Sequence, residues 1–344
     1  MFADRIITHL KAIYTPFHKP PIRSSKMKEL ATFYDGYIAI KDGKIIDIGE
    51  HTCEHLINDE TIIIDGSHKI AIPGLIDSHT HLVHAGSREN EYEKLQQGIP
   101  YLDILKSGGG ILGTVEKTRQ ATAEDLYRKA IKSLDVMMLY GVTTVESKSG
   151  YGLAYEHEKK QLQVNQKLAK THPIHLLSTY MGAHALPLEY KENNIGYIDA
   201  MILDMKRIYD EKLATAVDVF CEKGVFSIEE TRHLLEEAKK IGFSIKMHAD
   251  EIHPLGGAGL GAELSCTSVD HLMAISDHDI KVLAQSNTVA NVLPGTSFYL
   301  KKGYAQARKM LDEGVILSIA GDYNPGSCPT ENFQLIMQLA SNQY

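Results

Sequence analysis

The sequence predicts an α/β protein whose main part is a (β/α)8 TIM barrel, and three observations lead to this fold class. From Lys69 onward, short apolar segments alternate with longer segments of helical period, the pattern of βα units around a parallel sheet. There are eight such apolar segments, the count that closes a barrel. Histidines and carboxylates follow several of them, at the rim where barrel enzymes build their sites. An open doubly wound sheet is the alternative.

The N-terminal segment predicts a separate, small β-sandwich-like domain. Residues 37–40 and 44–48 are strand-like and flank Asp42-Gly43, which is a strong hairpin signal. The pattern changes after residue 65, so we expect a β domain over residues 1–65 and the barrel over residues 66–344.

The predicted barrel strands and helices follow one another at regular intervals. The strand candidates are residues 72–76, 143–147, 176–180, 216–221, 244–247, 268–271, 288–293 and 316–320. A helix is predicted over residues 229–241, where apolar residues share one face and Ser227 and Glu230 have the spacing of a capping box. The last predicted helix begins after Pro329-Thr330 and runs toward Tyr344.

Composition excludes several classes of protein. Lys and Arg total 36 against 44 Asp and Glu, and no long basic cluster follows the chain, which argues against a nucleic-acid partner. The first residues do not form a secretory signal and no stretch is apolar for long enough to span a bilayer, so we expect a cytoplasmic protein without membrane contact. The four cysteines form no C-x-x-C pair, so we expect buried thiols rather than disulfides or a thiolate zinc site.

Two glycine-rich stretches, residues 108–110 and 256–261, invite a nucleotide-binding interpretation. The second fits only a relaxed dinucleotide pattern and does not join a strand directly to a helix. Mobile or tight-turning loops above the barrel are the interpretation we favour.

The pair His79 and His81 ends the first predicted strand. Alternation along a strand places both imidazoles on one face, where they can bind one ion. On its own, this pair could equally be two surface histidines that share a face. In the fifth strand Ile245 and Met247 are expected to face the outer helices, so His248 faces the barrel interior.

Two further strand ends supply His271 and Asp322. Any one of these residues alone is more often a satisfied buried polar group than a ligand, but their coincidence at four strand ends predicts a metal-dependent hydrolase. Imidazoles and a carboxylate suit zinc or iron. Glu251 could move a proton from metal-bound water or be a solvated loop acid, and Arg88 could anchor a substrate carboxylate or lie on the surface.

Seven motifs spread from residue 73 toward the end of the chain resemble the amidohydrolase superfamily and, within it, the imidazolonepropionase family of L-histidine degradation. These motifs are PGLIDSHTH at residues 73–81, GSR at 86–88, GGGI at 108–111, KSGYG at 148–152, HADE at 248–251, LPGT at 293–296 and DYNPGS at 322–327.

The resemblance implies one divalent metal, Zn2+ or Fe, with His79, His81, His248 and Asp322 as its ligands. The third and fourth strands end without the bridging lysine of binuclear relatives. The implied substrate is 4-imidazolone-5-propanoate, hydrolysed at the ring C–N bond to N-formimidoyl-L-glutamate.

The same resemblance implies roles for the surrounding residues. Glu251 would move the proton, while His271 would orient the water or stabilise the tetrahedral oxyanion. The residues implied to bind the substrate are Arg88, Tyr151, His184, Glu251, Asn324, Gly326 and Ser327.

The chain departs from the family pattern at Gly321, where a larger residue is expected, and at Cys328, where a small hydroxyl residue is expected. The family continues past Tyr344 with a segment that completes the small β domain, so we expect a C-terminally truncated chain that lacks this complement. The alternatives are another amidohydrolase, such as a guanine deaminase or a cyclic-amide hydrolase, and a catalytically silent scaffold. The expected partner is the small-molecule substrate, and a homodimer is compatible with a sequence in which no interface is legible.

Overall fold

The computed structural model describes residues 1–99, 109–191 and 193–344. These residues form two compact units, Met1–Gly74 and Leu75–Tyr344. The sequence places its change of pattern earlier, after residue 65. The difference arises because a short strand at Ile70–Ala71 still pairs with the first strand of the chain.

The first unit is a five-stranded sheet. Its strands are β1 (Arg5–Pro16), β2 (Leu30–Lys41), β3 (Lys44–Glu50), β4 (Ile62–Asp65) and β5 (Ile70–Ala71), with short 3-10 helices at Ser24–Lys28 and Glu54–Leu56. The strand order is β3-β2-β1-β4, and β5 also pairs with β1. The predicted hairpin is confirmed: β2 and β3 are antiparallel, and Asp42 and Gly43 both have positive φ, as a tight two-residue turn requires.

The second unit is the predicted barrel. Its strands are β6 (Leu75–Thr80), β7 (Val142–Lys148), β8 (His175–Ala183), β9 (Ala216–Cys221), β10 (Ser244–Ala249), β11 (Ser268–His271), β12 (Val289–Val292) and β13 (Leu317–Ile319). They form an eight-stranded sheet in sequence order. A parallel bridge between Thr80 and Tyr323 connects its two ends. The (β/α)8 prediction is therefore confirmed.

Helices lie between the strands. They are α1 (Glu89–Gln96), α2 (Ile111–Gln120), α3 (Ala123–Leu139), α4 (Tyr155–Thr171), α5 (Asn194–Asp210), α6 (Ile228–Ile241), α7 (Gly257–Glu263), α8 (Asp277–Ala284), α9 (Pro294–Tyr299), α10 (Ala307–Asp312) and α11 (Phe333–Gln343), with a 3-10 turn at Leu188–Tyr190. The capping box predicted at Ser227 and Glu230 is present at the start of α6. Within the described ranges, no helix is both long and apolar enough to cross a membrane.

The first barrel strand begins later than the sequence suggests. The sequence predicts a strand over residues 72–76, whereas β6 starts at Leu75 and continues to Thr80. Pro73 has no N–H to donate to a ladder, and Ile72 is 56% exposed. The shift brings His79 inside the strand instead of beyond its end.

Strand alternation separates the outer core from the barrel interior. Ile245, Met247 and Ala249 of β10 pack in the large core that also contains residues of α6, while Lys246 and His248 are also buried. Lys246 donates from Nζ to the carbonyl of Ser78 on β6, across the barrel, at 3.0 Å. The prediction that His248 faces inward is confirmed, because His248 shares its face with Lys246.

All four cysteines are free and buried, as predicted. Cys328 lies against Gly295, where a Cβ would come within 2.6 Å of its sulfur. The thiol found where a small hydroxyl was expected is therefore a packed, buried group.

Candidate active site

The four side chains predicted to bind metal lie together at one end of the barrel. Asp322 Oδ1 is 3.6 Å from His79 Nε2 and 3.8 Å from His81 Nε2. One ligand atom each of His79, His81 and His248 lies within 4.8 Å of the others, and the same holds for His79, His271 and Asp322. All five residues are buried. The structure thus brings together a cluster able to hold a metal ion.

Asp322 is held in place by its neighbours. Thr296 donates from its hydroxyl to Asp322 Oδ2, and Asp322 N donates to the carbonyl of His79 at 2.9 Å. The preceding residue, Gly321, donates its N–H to Asp77 Oδ1 at 2.8 Å, and a Cβ on Gly321 would collide with the Asp77 carboxylate. The glycine at this departure from the family pattern therefore leaves room for Asp77.

Two imidazoles are oriented by buried carboxylates. His79 Nδ1 lies 2.5 Å from Asp270 Oδ2, and His248 Nδ1 lies 2.8 Å from Asp218 Oδ1. An ionised carboxylate only accepts hydrogen bonds, so this arrangement favours the tautomer in which Nδ1 carries the proton and Nε2 keeps a lone pair.

The residues present fit a divalent metal ion. Among the described side chains, His79 Nε2 and His248 Nε2 are buried atoms without a hydrogen-bond partner, and such atoms are costly unless something binds them. Burial, reinforced by the nearby Lys148, holds the pKa of His79 well below its usual value, which keeps the imidazole in the neutral form that binds metals. Imidazole nitrogen with carboxylate oxygen is a donor set that suits zinc or iron.

Glu251 lies beside His271, which belongs to this cluster. Glu251 Oε2 lies 3.6 Å from His271 Nε2. Burial raises the pKa of Glu251 and lowers the pKa of His271 to about 4. The pair therefore places a buried carboxyl group, which can act as a general acid or base, next to a neutral imidazole.

Arg88 lies in a cavity of about 420 Å³ that Tyr92, Tyr299 and Asn324 also line. Its Nε and Nη2 lie 2.9 and 2.8 Å from Glu91 Oε2. Its Nη1 lies against the backbone of Gly326, where a Cβ would overlap it. The Arg88 guanidinium is thus buried, paired with Glu91 and adjacent to Gly326. The sequence analysis expects both Arg88 and Gly326 to bind the substrate.

His184 and Tyr151 lie against His81. The rings of His184 and His81 are stacked, with centroids 4.7 Å apart and planes at 14°. The Tyr151 ring lies 5.3 Å from His184 and 5.6 Å from His81. Burial lowers the pKa of His184 to about 3, so this wall of the site is neutral and aromatic.

Asn324, Gly326 and Ser327 form a tight loop after Asp322. Asn324 Oδ1 accepts from the N–H groups of Gly326 and Ser327 at 2.8 and 2.7 Å, and its Nδ2 donates to the Asp322 carbonyl at 2.7 Å and to Ser327 Oγ at 2.8 Å. The Asn324 amide therefore shapes the loop that carries Gly326 toward Arg88.

The chain has clear relatives among known proteins. The model of the amidohydrolase family matches residues 70–342. An imidazolonepropionase from Alkaliphilus oremlandii is 53% identical over 326 residues, covering 94% of this chain and 77% of the relative. Another from Streptococcus gordonii is 49% identical over 343 residues, covering 98% of this chain and 82% of the relative.

The chain belongs to the amidohydrolase family, and within it to the imidazolonepropionases. It is therefore a hydrolase, and the family predicted from the seven motifs is confirmed. The guanine deaminase alternative is not favoured by these relatives.

Solved structures of similar fold are more distant in sequence. A guanine deaminase from C. acetobutylicum superposes with a TM-score of 0.69 at 16% identity, covering 98% of this chain and 78% of the other. A triazine hydrolase from Arthobacter aurescens gives 0.63 at 16% identity, covering 95% and 73%. At these identities the likeness concerns the fold alone.

Sequence reasoning missed a buried charge network in this amidohydrolase. Lys148 Nζ lies 2.8 Å from Glu146 Oε1 and 2.7 Å from Asp218 Oδ2. Lys246 Nζ lies 3.4 Å from Glu146 and 3.9 Å from Asp270. Burial opposes the charge on Lys148, but the carboxylates around it prevail and raise its pKa. Strand alternation could have revealed Lys246, because it shares a strand face with the inward-facing His248.

The loop after β10 is held by two further buried carboxylates that the sequence did not single out. Asp250 accepts from the N–H groups of residues 255–258, and Glu222 accepts from those of Ile252 and His253. The second glycine-rich stretch was expected to be a loop, but residues from Gly257 onward form α7. The first stretch includes Gly108, which lies outside the described residues.

Proposed function

We propose that this site hydrolyses the ring C–N bond of 4-imidazolone-5-propanoate and gives N-formimidoyl-L-glutamate. The observation that supports the proposal most is the convergence of His79, His81, His248 and Asp322 in a chain about half identical to imidazolonepropionases. A ring amide carbonyl is the kind of group that such a centre activates.

His79, His81, His248 and Asp322 would hold one divalent ion, Zn2+ or Fe. When bound, such an ion polarises a carbonyl and lowers the pKa of a water to about 7. Asp270 and Asp218 keep His79 and His248 turned toward it through their Nδ1 hydrogen bonds, and Thr296 fixes the carboxylate of Asp322.

Glu251 is the proposed proton carrier. Its carboxylate takes a proton from the attacking water and returns it to the ring nitrogen that departs. Burial raises the pKa of Glu251, which moves it in the direction that favours returning the proton to the leaving nitrogen. His271, 3.6 Å from Glu251, orients the water or stabilises the tetrahedral oxyanion.

The substrate lies between two walls in this proposal. Arg88 binds the propanoate carboxylate, which competes with Glu91 for the guanidinium. Tyr151 and His184 contact the ring on the side of His81. Asn324, Gly326 and Ser327 line the opposite side, with Gly326 giving Arg88 the room it needs.

The central experiment follows ring opening of 4-imidazolone-5-propanoate in Glu251→Gln, with metal content measured on the same samples. Removing general acid–base catalysis costs about 10²- to 10⁴-fold, so we expect kcat to fall by that factor while the metal content stays at the wild-type value. The exposed Glu229→Gln is the matched control. Full activity of Glu251→Gln would remove Glu251 from the mechanism.

A second experiment tests the carboxylate anchor. Arg88→Ala should raise KM much more than it lowers kcat, because the guanidinium binds a part of the substrate that does not react. Arg128→Ala, an exposed arginine paired with Glu124, serves as the control. A wild-type KM in Arg88→Ala refutes this assignment, and stoichiometric metal without turnover in the wild type points to another substrate.

A further inference from the structure

A fully buried carboxylate lies outside the cluster described above. Glu158, near the start of α4, has no exposed surface. Its Oε2 accepts from Gly150 N at 2.9 Å, and its Oε1 accepts from Gly152 N at 2.7 Å and from Leu153 N at 2.8 Å. Three backbone amides of one loop therefore donate to one side chain.

Burial raises the pKa of Glu158, and the Ser149 side chain together with these amides opposes that rise by stabilising the charged form. No ion pair to Glu158 occurs within the described ranges, and a buried carboxylate is costly unless hydrogen bonds satisfy its oxygens. Gly152 permits the close approach, since a Cβ there would meet the backbone of α4 and Glu158 Oε1.

The loop needs such a partner because its backbone is strained. Gly150 has φ of 109° and Leu153 has φ of 51°. Leucine rarely adopts positive φ, and a residue in that region persists only where surrounding contacts determine its conformation. The carboxylate of Glu158 bonds to the N–H groups of both residues, so it fixes the loop at the two points of unusual geometry.

The same loop sets the positions of Tyr151 and His184. The Gly150 carbonyl accepts from His184 Nδ1 at 3.0 Å, so the Gly150 peptide is bonded to Glu158 through its N–H and to His184 through its C=O. Tyr151 lies between two residues that Glu158 holds, and its own N–H donates to Gln161 Oε1 at 3.2 Å. A shift of the loop would therefore move both aromatic side chains relative to His81.

We propose that Glu158 is a positioning residue for substrate binding, which holds Tyr151 and His184 in the geometry that contacts the ring. The inference rests on the proposed function, in which those two residues touch the substrate. Glu158 itself touches neither the substrate nor the proposed metal ligands. Its loss should therefore affect KM and leave metal binding unchanged.

The test is Glu158→Gln, with KM, kcat and metal content measured on the folded enzyme. A glutamine amide presents an NH2 group to at least one of the three backbone N–H donors, so the loop loses its geometry while the side-chain volume is kept. We expect KM to rise about tenfold, the equivalent of about one charged hydrogen bond, with kcat within a few fold of the wild type and metal content unchanged. Glu156→Gln, exposed on the same helix, is the control.

A double-mutant cycle separates the failure of this inference from the failure of the proposed function. If Glu158 acts through the loop, the KM effects of Glu158→Gln and Tyr151→Phe are less than additive in the double variant. A wild-type KM in Glu158→Gln, with a raised KM in Tyr151→Phe, overturns the inference alone. Wild-type KM values in both Tyr151→Phe and His184→Ala overturn the substrate assignment instead.

Glu158→Asp provides a second variant in case the glutamine enzyme does not fold. It keeps the negative charge but withdraws the oxygens by one methylene, so it should reach fewer of the three amides. We expect an intermediate KM together with faster amide hydrogen exchange at Gly152 and Leu153. Exchange and KM both equal to those of the wild type would contradict the positioning role.

Discussion

Two groups of buried carboxylates have different partners. One group lies beneath the proposed metal ligands, and the other lies around the rim of the barrel. Beneath the ligands, Asp218 is paired with Lys148, a cation from another strand. On the rim, Asp250 and Glu158 each accept from backbone N–H groups of a nearby loop. The first arrangement connects distant parts of the chain, while the second closes one loop at a time.

The difference follows from what each donor can reach. A lysine ammonium has three donors on a flexible stem and can bridge carboxylates of separate strands. Lys148 joins Glu146 of its own strand to Asp218 of β9, and Asp218 continues to His248 of β10. Backbone amides are fixed in sequence, so they can only shape the segment that carries them. We therefore expect changes beneath the ligands to cost stability and metal affinity, and changes on the rim to alter kinetics.

The largest effect is expected for Lys148→Met. The variant leaves Glu146, Asp218 and Asp270 with Lys246 as the cation nearby, and breaking a buried ion pair by removing one partner costs about 3–5 kcal/mol. Urea unfolding of the metal-free proteins measures this loss. Lys159→Met, which removes a half-buried partner of Glu211 near the surface, should leave the unfolding midpoint close to that of the wild type. Equal midpoints for the two variants would show that the network beneath the ligands is not what stabilises the barrel interior.

Asp218→Asn should weaken metal binding with less damage to the fold. An asparagine oxygen can still accept from His248 Nδ1, but it lacks the charge that makes the imidazole a stronger donor to a metal, and such second partners change metal affinity by about 10- to 100-fold. Competition with a chelator gives the affinity, and the unfolding midpoint is measured in parallel. Glu222→Gln, a buried carboxylate on the rim, is the matched control. Unchanged affinity in Asp218→Asn would separate Asp218 from metal binding.

The sequence predicts which side chains lie in the site better than it predicts the hydrogen bonds and ion pairs that hold those side chains in place. The eight strands and the convergence of His79 with Asp322 follow from local alternation and from the shared edge of parallel strands. The pairing of Lys148 with Asp218 depends on the register of strands 70 residues apart, which no local pattern encodes. The hydrogen bond from Leu153 N to Glu158 depends on a positive φ at Leu153. A leucine in the sequence does not predict that backbone conformation.

On the rim, Glu222→Gln should lower kcat without affecting metal. Glu222 accepts from Ile252 N at 2.9 Å and from His253 Nδ1 at 2.8 Å, directly after Glu251. Losing one or two of these bonds costs about 0.5–1.5 kcal/mol each, so we expect kcat to fall by about threefold to tenfold as Glu251 becomes less well placed. Steady-state kinetics with metal analysis tests this. A loss of metal from Glu222→Gln would erase the distinction between the two groups of carboxylates.

A separate, pH-dependent effect concerns Asp204 on α5, which belongs to neither group. Burial raises its pKa from 3.8 to about 6, opposed by Arg207 and reinforced by Glu158 and Glu156, and Arg207 Nη1 lies 3.9 Å away. Because the folded pKa exceeds the unfolded one, the native state binds more protons between about pH 4 and 6, and Asp204 lowers stability as pH rises through this window. Asp204→Asn should therefore gain stability relative to the wild type from pH 4 to 6 and keep that gain above pH 6. Urea unfolding midpoints measured across this range test the sign of the stability change, with Asp199→Asn at an exposed position as the control. A gain in stability that is the same at every pH would mean that the Asp204 carboxyl group does not titrate with a raised pKa.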